Sequence, residues 1–275
     1  MMELIAQILS YPFMVRAFIV GILVSLCAAL LGVSLVLKQY SMIGDGLSHV
    51  SYGALSVALA CGIAPLKLSI PVVIVAAFFL LRMTENKKIK SDAAIAALSA
   101  SALAAGVSVT SLTTGMTTDV CSYMFGSILA MTREDVVLSV VLSVMVIILF
   151  VFCYHNIFAV TFDESFSKAT GVRVGLYNTL LAILTAVTIV LGMQMMGAML
   201  ISSLIIFPAL TSMRLFKSFR AVVISSGILS VLCFCIGMVM SYCVSTPAGA
   251  SVVLVNLAFF LFSVLLQKGK ELLQI

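Results

Sequence analysis

Charge is what this sequence has least of. Asp, Glu, Lys and Arg make up 9% of its 275 residues, where a soluble domain carries about 25%. With 63% hydrophobic residues and a mean hydropathy of +1.28, its surface has to face lipid rather than water. Other absences remove whole classes of function. No GxxxxGK[ST] occurs, so the chain has no P-loop to cradle nucleotide phosphates, and no HExxH occurs, which argues against an intramembrane zinc protease. The seven cysteines include no CxxC. Cys233 and Cys235 point to different helix faces, and most of the seven lie in apolar runs, where a thiol packs as a small hydrophobe. No basic leader precedes the first apolar run, only Glu3, so that run is expected to insert uncleaved.

Between the scarce charges lie apolar runs. Ala17–Leu37 is bounded by Arg16 and Lys38. Gly46–Ala64 and Leu68–Leu81 form a shorter pair around Pro65 and Lys67, short enough to be partly re-entrant. Ala93–Leu112 is rich in Ala, Ser and Gly, and Val136–Tyr154 in Leu, Ile, Val and Phe. Val174–Met213 is uncharged and long enough for two spans, with Gln194 and Gly197 near its middle. Ala221–Gln267 holds two more, divided at Ser245–Gly249. At about 20 residues per crossing, these runs predict an all-α polytopic transmembrane helix bundle of eight to nine spans, with residues 1–275 as one membrane domain.

The net charge of +5 is carried mainly at Arg82–Lys90, Lys168–Arg173, Arg214–Arg220 and Lys268–Lys270. That is a positive-inside pattern, not a nucleic-acid footprint. It puts those loops in the cytoplasm, leaves the loops near Lys67, Gln194 and Pro247 outside, and with an odd span count puts the N-terminus outside. Small residues on every face of Ala93–Gly106 predict a helix in the crowded bundle interior, whereas Val136–Tyr154 is expected to face lipid. Gly171–Gly175 matches GxxxG but lies at a membrane edge and reads as loop and helix start.

The stretch from Ser41 to Ser51 puts Asp45 and His49 four residues apart, on one helix face among apolar residues. An ionisable group at membrane depth marks function by default, and carboxylate plus imidazole suits Zn²⁺ or Mn²⁺. An Asp–His pair satisfying itself near the cytoplasmic interface fits equally well; the depth of Asp45 decides. His155, at the cytoplasmic end of a span, reads as a solvated interfacial residue. Met193, Met195, Met196 and Met199 suit a Cu(I) path or, as expected here, adaptable packing. Asp119 lies toward the outer side, where it attracts a cation or simply meets water. The largest polar break, Phe158–Arg173, reads as a short amphipathic cytoplasmic helix with acids near its start and Gly171 near its end; its exposed Phe162 and Phe166 favour a docking surface for a partner protein.

At this point the residues resemble a family, the membrane permease of zinc/manganese/iron ABC importers, the metal-ion branch of the cobalamin- and siderophore-type permeases. SMIGDGLSHVSYGAL from Ser41, SYMFGSILAM from Ser122, FDESFSKATGV from Phe162, MMGAMLISSLIIFPALTSMRL from Met195 and TPAGASVVLVN from Thr246 carry the resemblance, in order, over nearly the whole chain. It implies a homodimer in a prokaryotic cell membrane, with the metal path along the dimer axis. It also implies two cytoplasmic ATP-binding subunits beneath, an extracytoplasmic metal-binding protein that delivers the ion, no permanently bound cofactor and no enzymatic activity in this chain. Asp45 and His49 would lie at the metal path, with Asp119 as a further metal candidate. The segment at about 158–173 would be the coupling helix, with Phe162, Asp163, Glu164, Ala169 and Gly171 facing the ATPase or setting its shape. Lys38-Gln39-Tyr40 departs from a more basic run common in the family. Zinc is the first expected cargo, with manganese or iron as alternatives. An ion-coupled secondary transporter using Asp45 is the reading from another class.

Overall fold

The computed structural model describes residues 12–85, 91–114 and 132–273. Among them are eleven helices: α1 Pro12–Leu37, α2 Ile43–Ala60, α3 Pro65–Glu85, α4 Ser91–Thr114, α5 Arg133–Phe152, α6 Tyr154–Phe162, α7 Glu164–Ala169, α8 Val174–Met196, α9 Ala198–Leu215, α10 Phe219–Val244 and α11 Ala248–Leu273. Eight of them, all but α2, α6 and α7, are long and apolar enough to cross a membrane. Helix α2 is as long as α9 but carries Asp45 and His49 with Ser48, Ser51 and Ser56. It makes the ninth rod of the bundle. Asp119 and the segment Ser122–Met131 lie outside the described residues.

Local chemistry explains where the rods end. Thr132 and Asp135 form a reciprocal capping box at the start of α5. The long uncharged run after Val174 breaks at Gly197, whose φ of 87° and ψ of 160° suit a residue without a side chain. Helix α1 closes in a Schellman turn, in which the Tyr40 N–H donates to the Leu35 carbonyl and the Gln39 N–H to that of Val36. Gln39 takes the left-handed position there, at φ 62°.

Cross-helix contacts fix the directions. The Ser230 hydroxyl donates to the Ser25 carbonyl and that of Ser226 to Ala29, so α1 and α10 are antiparallel. Lys38 meets Asn178, bringing the end of α1 to the start of α8, and Arg214 donates to Gln267, joining the ends of α9 and α11. Alternation then gathers the basic loops at one end. Among the described Lys and Arg residues, only Arg16, Lys67 and Arg133 fall at the other. The positive-inside rule makes the basic end cytoplasmic and places the start of α1 outside.

The centre is formed by α1 and α8, each 67% buried across its most apolar stretch, whereas α4 and α5 are each 22% buried. Helix α5 faces outward as expected. Helix α4 departs from the expectation of an interior position: within one chain it buries a stripe with Ala94, Ile95 and Thr110 and leaves its remaining Ala and Ser faces open. Its small residues act on that stripe. A Cβ on Gly53 of α2 would stand 2.8 Å from the Ala102 carbonyl oxygen, and one on Gly106 of α4 3.0 Å from the Gly53 Cα, so the two backbones touch. A second departure concerns the polar break at 158–173, which is two helices rather than one. Asp163 is extended and its Oδ1 accepts the Phe166 N–H at 2.9 Å, so it ends α6 and caps α7.

Candidate functional site

Helix α2 enters the bundle deep. A Cβ on Gly44 would lie 3.1 Å from the Ile205 side chain and 3.6 Å from the Ser202 Cα, midway along α9. Ile205 is ten residues before Leu215, the last residue of α9, so Asp45 lies about 15 Å in from that end, measured along α9. Gly44 faces α9 and Gly46 faces Ile95 of α4. At 100° per residue, Asp45 and His49 point into the angle between those two helices. They are the open positions on the inner half of an otherwise buried rod, with side-chain exposures of 51% and 23%.

The His49 Nε2 stands 3.6 Å from the Asp45 Oδ2. That is within reach of an ion pair but longer than a good hydrogen bond, so the two groups are loosely paired on the open face of the helix. The same face continues outward at Tyr52 and Ser56, spaced i+3 and i+7 beyond His49. There the Thr110 hydroxyl of α4 donates to the Ser56 Oγ at 3.2 Å and meets the Tyr52 hydroxyl at 3.5 Å. A polar file thus runs along α2, open at Asp45 and His49 and closed by α4 at Tyr52. The spacing 45, 49, 52, 56 was there to be read; the partner Thr110 was not. Among the described residues no three His, Cys, Asp or Glu side chains cluster as a metal site, so one chain offers two ligands.

The second constellation lies at the cytoplasmic end. Glu164, the first residue of α7, accepts hydrogen bonds from Lys38 Nζ at 2.7 Å and Asn178 Nδ2 at 3.0 Å, and Lys38 also donates to the Asn178 Oδ1. The Lys38 side chain is 8% exposed. Burial pushes the Glu164 carboxyl up, but these two hydrogen bonds and the Lys38 and Lys168 charges outweigh it and hold the group below its ordinary value. The knot ties α7 to the start of α8 and to the turn between α1 and α2, seven residues before Asp45. Phe162, Asp163 and Ala169 are exposed around it, and Gly171, at φ 86°, ends the segment. No pattern in the sequence pointed to Lys38 or Asn178, because the contact joins residues 126 apart.

His155 is exposed at the start of α6, edge-on to Tyr154. Met193 and Met196 are core residues at 1% and 2% exposure, in keeping with packing. Cys27 and Cys233 are buried free thiols.

The sequence profile of the ABC 3 transport family matches residues 10–267. The "Probable iron transport system membrane protein" of Haemophilus influenzae is 31% identical, with 98% of both chains covered. The "Manganese import system permease protein ScaB" of Streptococcus gordonii is 28% identical over 95% of this chain and 94% of its own. The "High-affinity zinc uptake system membrane protein ZnuB" of Haemophilus influenzae is 27% identical over 90% and 95%. Among solved structures, "PsaBC from Streptococcus pneumoniae in complex with Fab" superposes with a TM-score of 0.84 at 28% identity, covering 95% of this chain and 94% of that one. A bundle of apolar helices, basic at one end and with an acid–imidazole pair set deep between α4 and α9, belongs to the ABC 3 transport family: the chain is a multi-pass membrane permease of an ABC transporter.

Proposed function

We propose that this chain forms the translocation path of an ATP-driven importer of a divalent first-row metal in a prokaryotic cell membrane. The observation that carries the proposal is the Asp45–His49 pair, loosely held at 3.6 Å and standing on the open face of a buried helix. Carboxylate oxygen with imidazole nitrogen suits Zn²⁺, Mn²⁺ and Fe²⁺ alike, and the relatives named above divide among the same three. Zn²⁺ is the first cargo to test, because a four-coordinate O/N set matches its preference.

Two copies of the chain would bring two carboxylates and two imidazoles around a shared axis. Four such donors replace much of a hydration shell, and without further ligands they do not trap the ion. An extracytoplasmic binding protein would hand over the metal at the outer end, where Ser56, Thr110 and Tyr52 lead toward His49; Asp119, outside the described residues, is a further candidate ligand from the sequence. Hydrolysis of ATP belongs to two separate cytoplasmic subunits docked on the surface that includes Phe162, Asp163, Ala169 and Gly171. Their movement of α7 would pass through Glu164 to Lys38 and Asn178, and from Lys38 through the short turn into α2. The lever and the metal ligands are then joined by a single tight connection.

The test is metal uptake by cells or vesicles carrying the permease with its ATP-binding subunits. Asp45→Ala and His49→Ala should each abolish uptake while the complex still assembles and hydrolyses ATP. Normal uptake in both variants would remove the metal-path assignment. Competition among Zn²⁺, Mn²⁺ and Fe²⁺ in the unmutated complex identifies the cargo.

A further inference from the structure

A cavity of about 480 Å³ opens between α1, α5, α6 and α10 at their cytoplasmic ends, away from the Asp45 file. Its polar residues are all at one end: Arg220, His155 and Tyr154. Leu30, Phe150, Val223 and Ile224 line the rest. Leu30 lies seven residues before the end of α1, about 10 Å along the helix, so this wall reaches into the hydrocarbon layer. No acidic side chain lines the cavity, and Arg220 makes no ion pair or hydrogen bond to any described residue. The amide end of α10, which starts at Phe219, adds partial positive charge beside it. At the lip, Val151 and Ile224 are 63% and 52% exposed to what the fold makes the lipid side.

From this geometry we propose that the cavity binds an anionic phospholipid of the cytoplasmic leaflet, its phosphate on Arg220 and His155 and an acyl chain along Leu30, Phe150 and Val223. A free anion would use the cationic end and leave the apolar wall empty, and a soluble protein could not reach that wall. A basic pocket between helices on the cytoplasmic side is the arrangement that recognises a lipid head. The site adjoins α6, so an occupied pocket would brace the stem from which α7 extends: Phe219, next to Arg220, already packs tilted against Tyr154 and Phe158 and edge-on to Phe162.

The chain contains no Trp, which permits a direct test. A single Trp is placed at the lip as Val151→Trp, or on the facing helix as Ile224→Trp, and the full-length permease is reconstituted. Quenching by brominated phosphatidylglycerol is then compared with quenching by brominated phosphatidylcholine. The expected result is about a fivefold preference for phosphatidylglycerol, lost in Arg220→Gln, largely kept in Arg220→Lys, and unchanged in Lys217→Gln, which removes a nearby charge outside the cavity. Val141→Trp, midway along the exposed face of α5, should show no preference. Equal quenching by the two lipids at both lip positions overturns the proposal, as does a preference that survives Arg220→Gln. Millimolar inorganic phosphate should leave the preference standing; displacement by it would assign the cavity to a free anion.

Discussion

Helices α2 and α5 are built to opposite plans. Helix α5 has 20 residues, and its buried ones are Ser139, Ser143, Val146 and Phe150; Val137, Val141, Ile148 and Val151 point outward. Helix α2 has 18 residues, twelve of them buried, and the groups it leaves open on its inner half are Asp45 and His49. In lipid the apolar side chain costs nothing on the outside, so α5 spends its interior positions on small hydroxyls that let helices approach. Helix α2, shielded from lipid by its neighbours, can carry charge that α5 could not. Buried hydroxyls are spread over many of the helices, whereas the carboxylate–imidazole pair stands on this one rod, and an ionisable pair so placed is itself a pointer to function.

The comparison is broken most severely by removing the open groups of α2. Asp45→Ala and His49→Ala should reduce uptake to that of membranes lacking the permease, with folding and assembly retained. Weakening the knot of Glu164, Lys38 and Asn178 comes next. Glu164→Gln or Lys38→Met should lower transport about tenfold while ATP hydrolysis continues, read as ATP consumed per metal moved, with a stability loss of about 1–2 kcal/mol after allowance for the half-exposed Glu164. This contact has a defined pH sense. The folded carboxyl of Glu164 titrates below its ordinary value, so its contribution is fully present above the ordinary carboxylate range, about pH 4.3, and fades as pH falls through the lower folded value. An acid unfolding profile should show that loss, and Glu164→Gln should remove it.

A smaller effect is expected where α2 leans on α4. Gly53→Leu would push the side chain into the Ala102 carbonyl and should cost about 1–3 kcal/mol in thermal stability, lowering uptake in proportion to the folded fraction. Val141→Ala on the outer face of α5 should change stability by less than about 0.5 kcal/mol and leave uptake unchanged. A large effect there would mean that α5 packs against protein.

Most of the bundle was legible in the sequence, because lipid permits so few arrangements of the backbone. Charge-free runs gave the rods, Gly197 and the Ser245–Gly249 stretch gave the divisions, and the basic loops gave the direction. Three things were hidden. The setting of α4 was misjudged because small residues announce close packing without saying how many neighbours share it. The break at Asp163 was missed because a helix cap and a helix interior differ only in backbone geometry. The tie from Lys38 to Glu164 and Asn178 joins distant parts of the chain, and no local periodicity carries such a contact. Asp45 and His49 were legible as a pair, whereas the extension of their face to Tyr52, Ser56 and Thr110 needed the approach of α4.

Whether Asp45 and His49 hold the transported ion is read most directly by X-ray absorption on Zn²⁺ loaded into the assembled, turnover-arrested permease–ATPase complex. The expected spectrum has a first shell of oxygen and nitrogen with outer-shell scattering from imidazole, and the imidazole signal is lost in His49→Ala. A zinc spectrum unchanged by His49→Ala and Asp45→Ala would contradict that assignment.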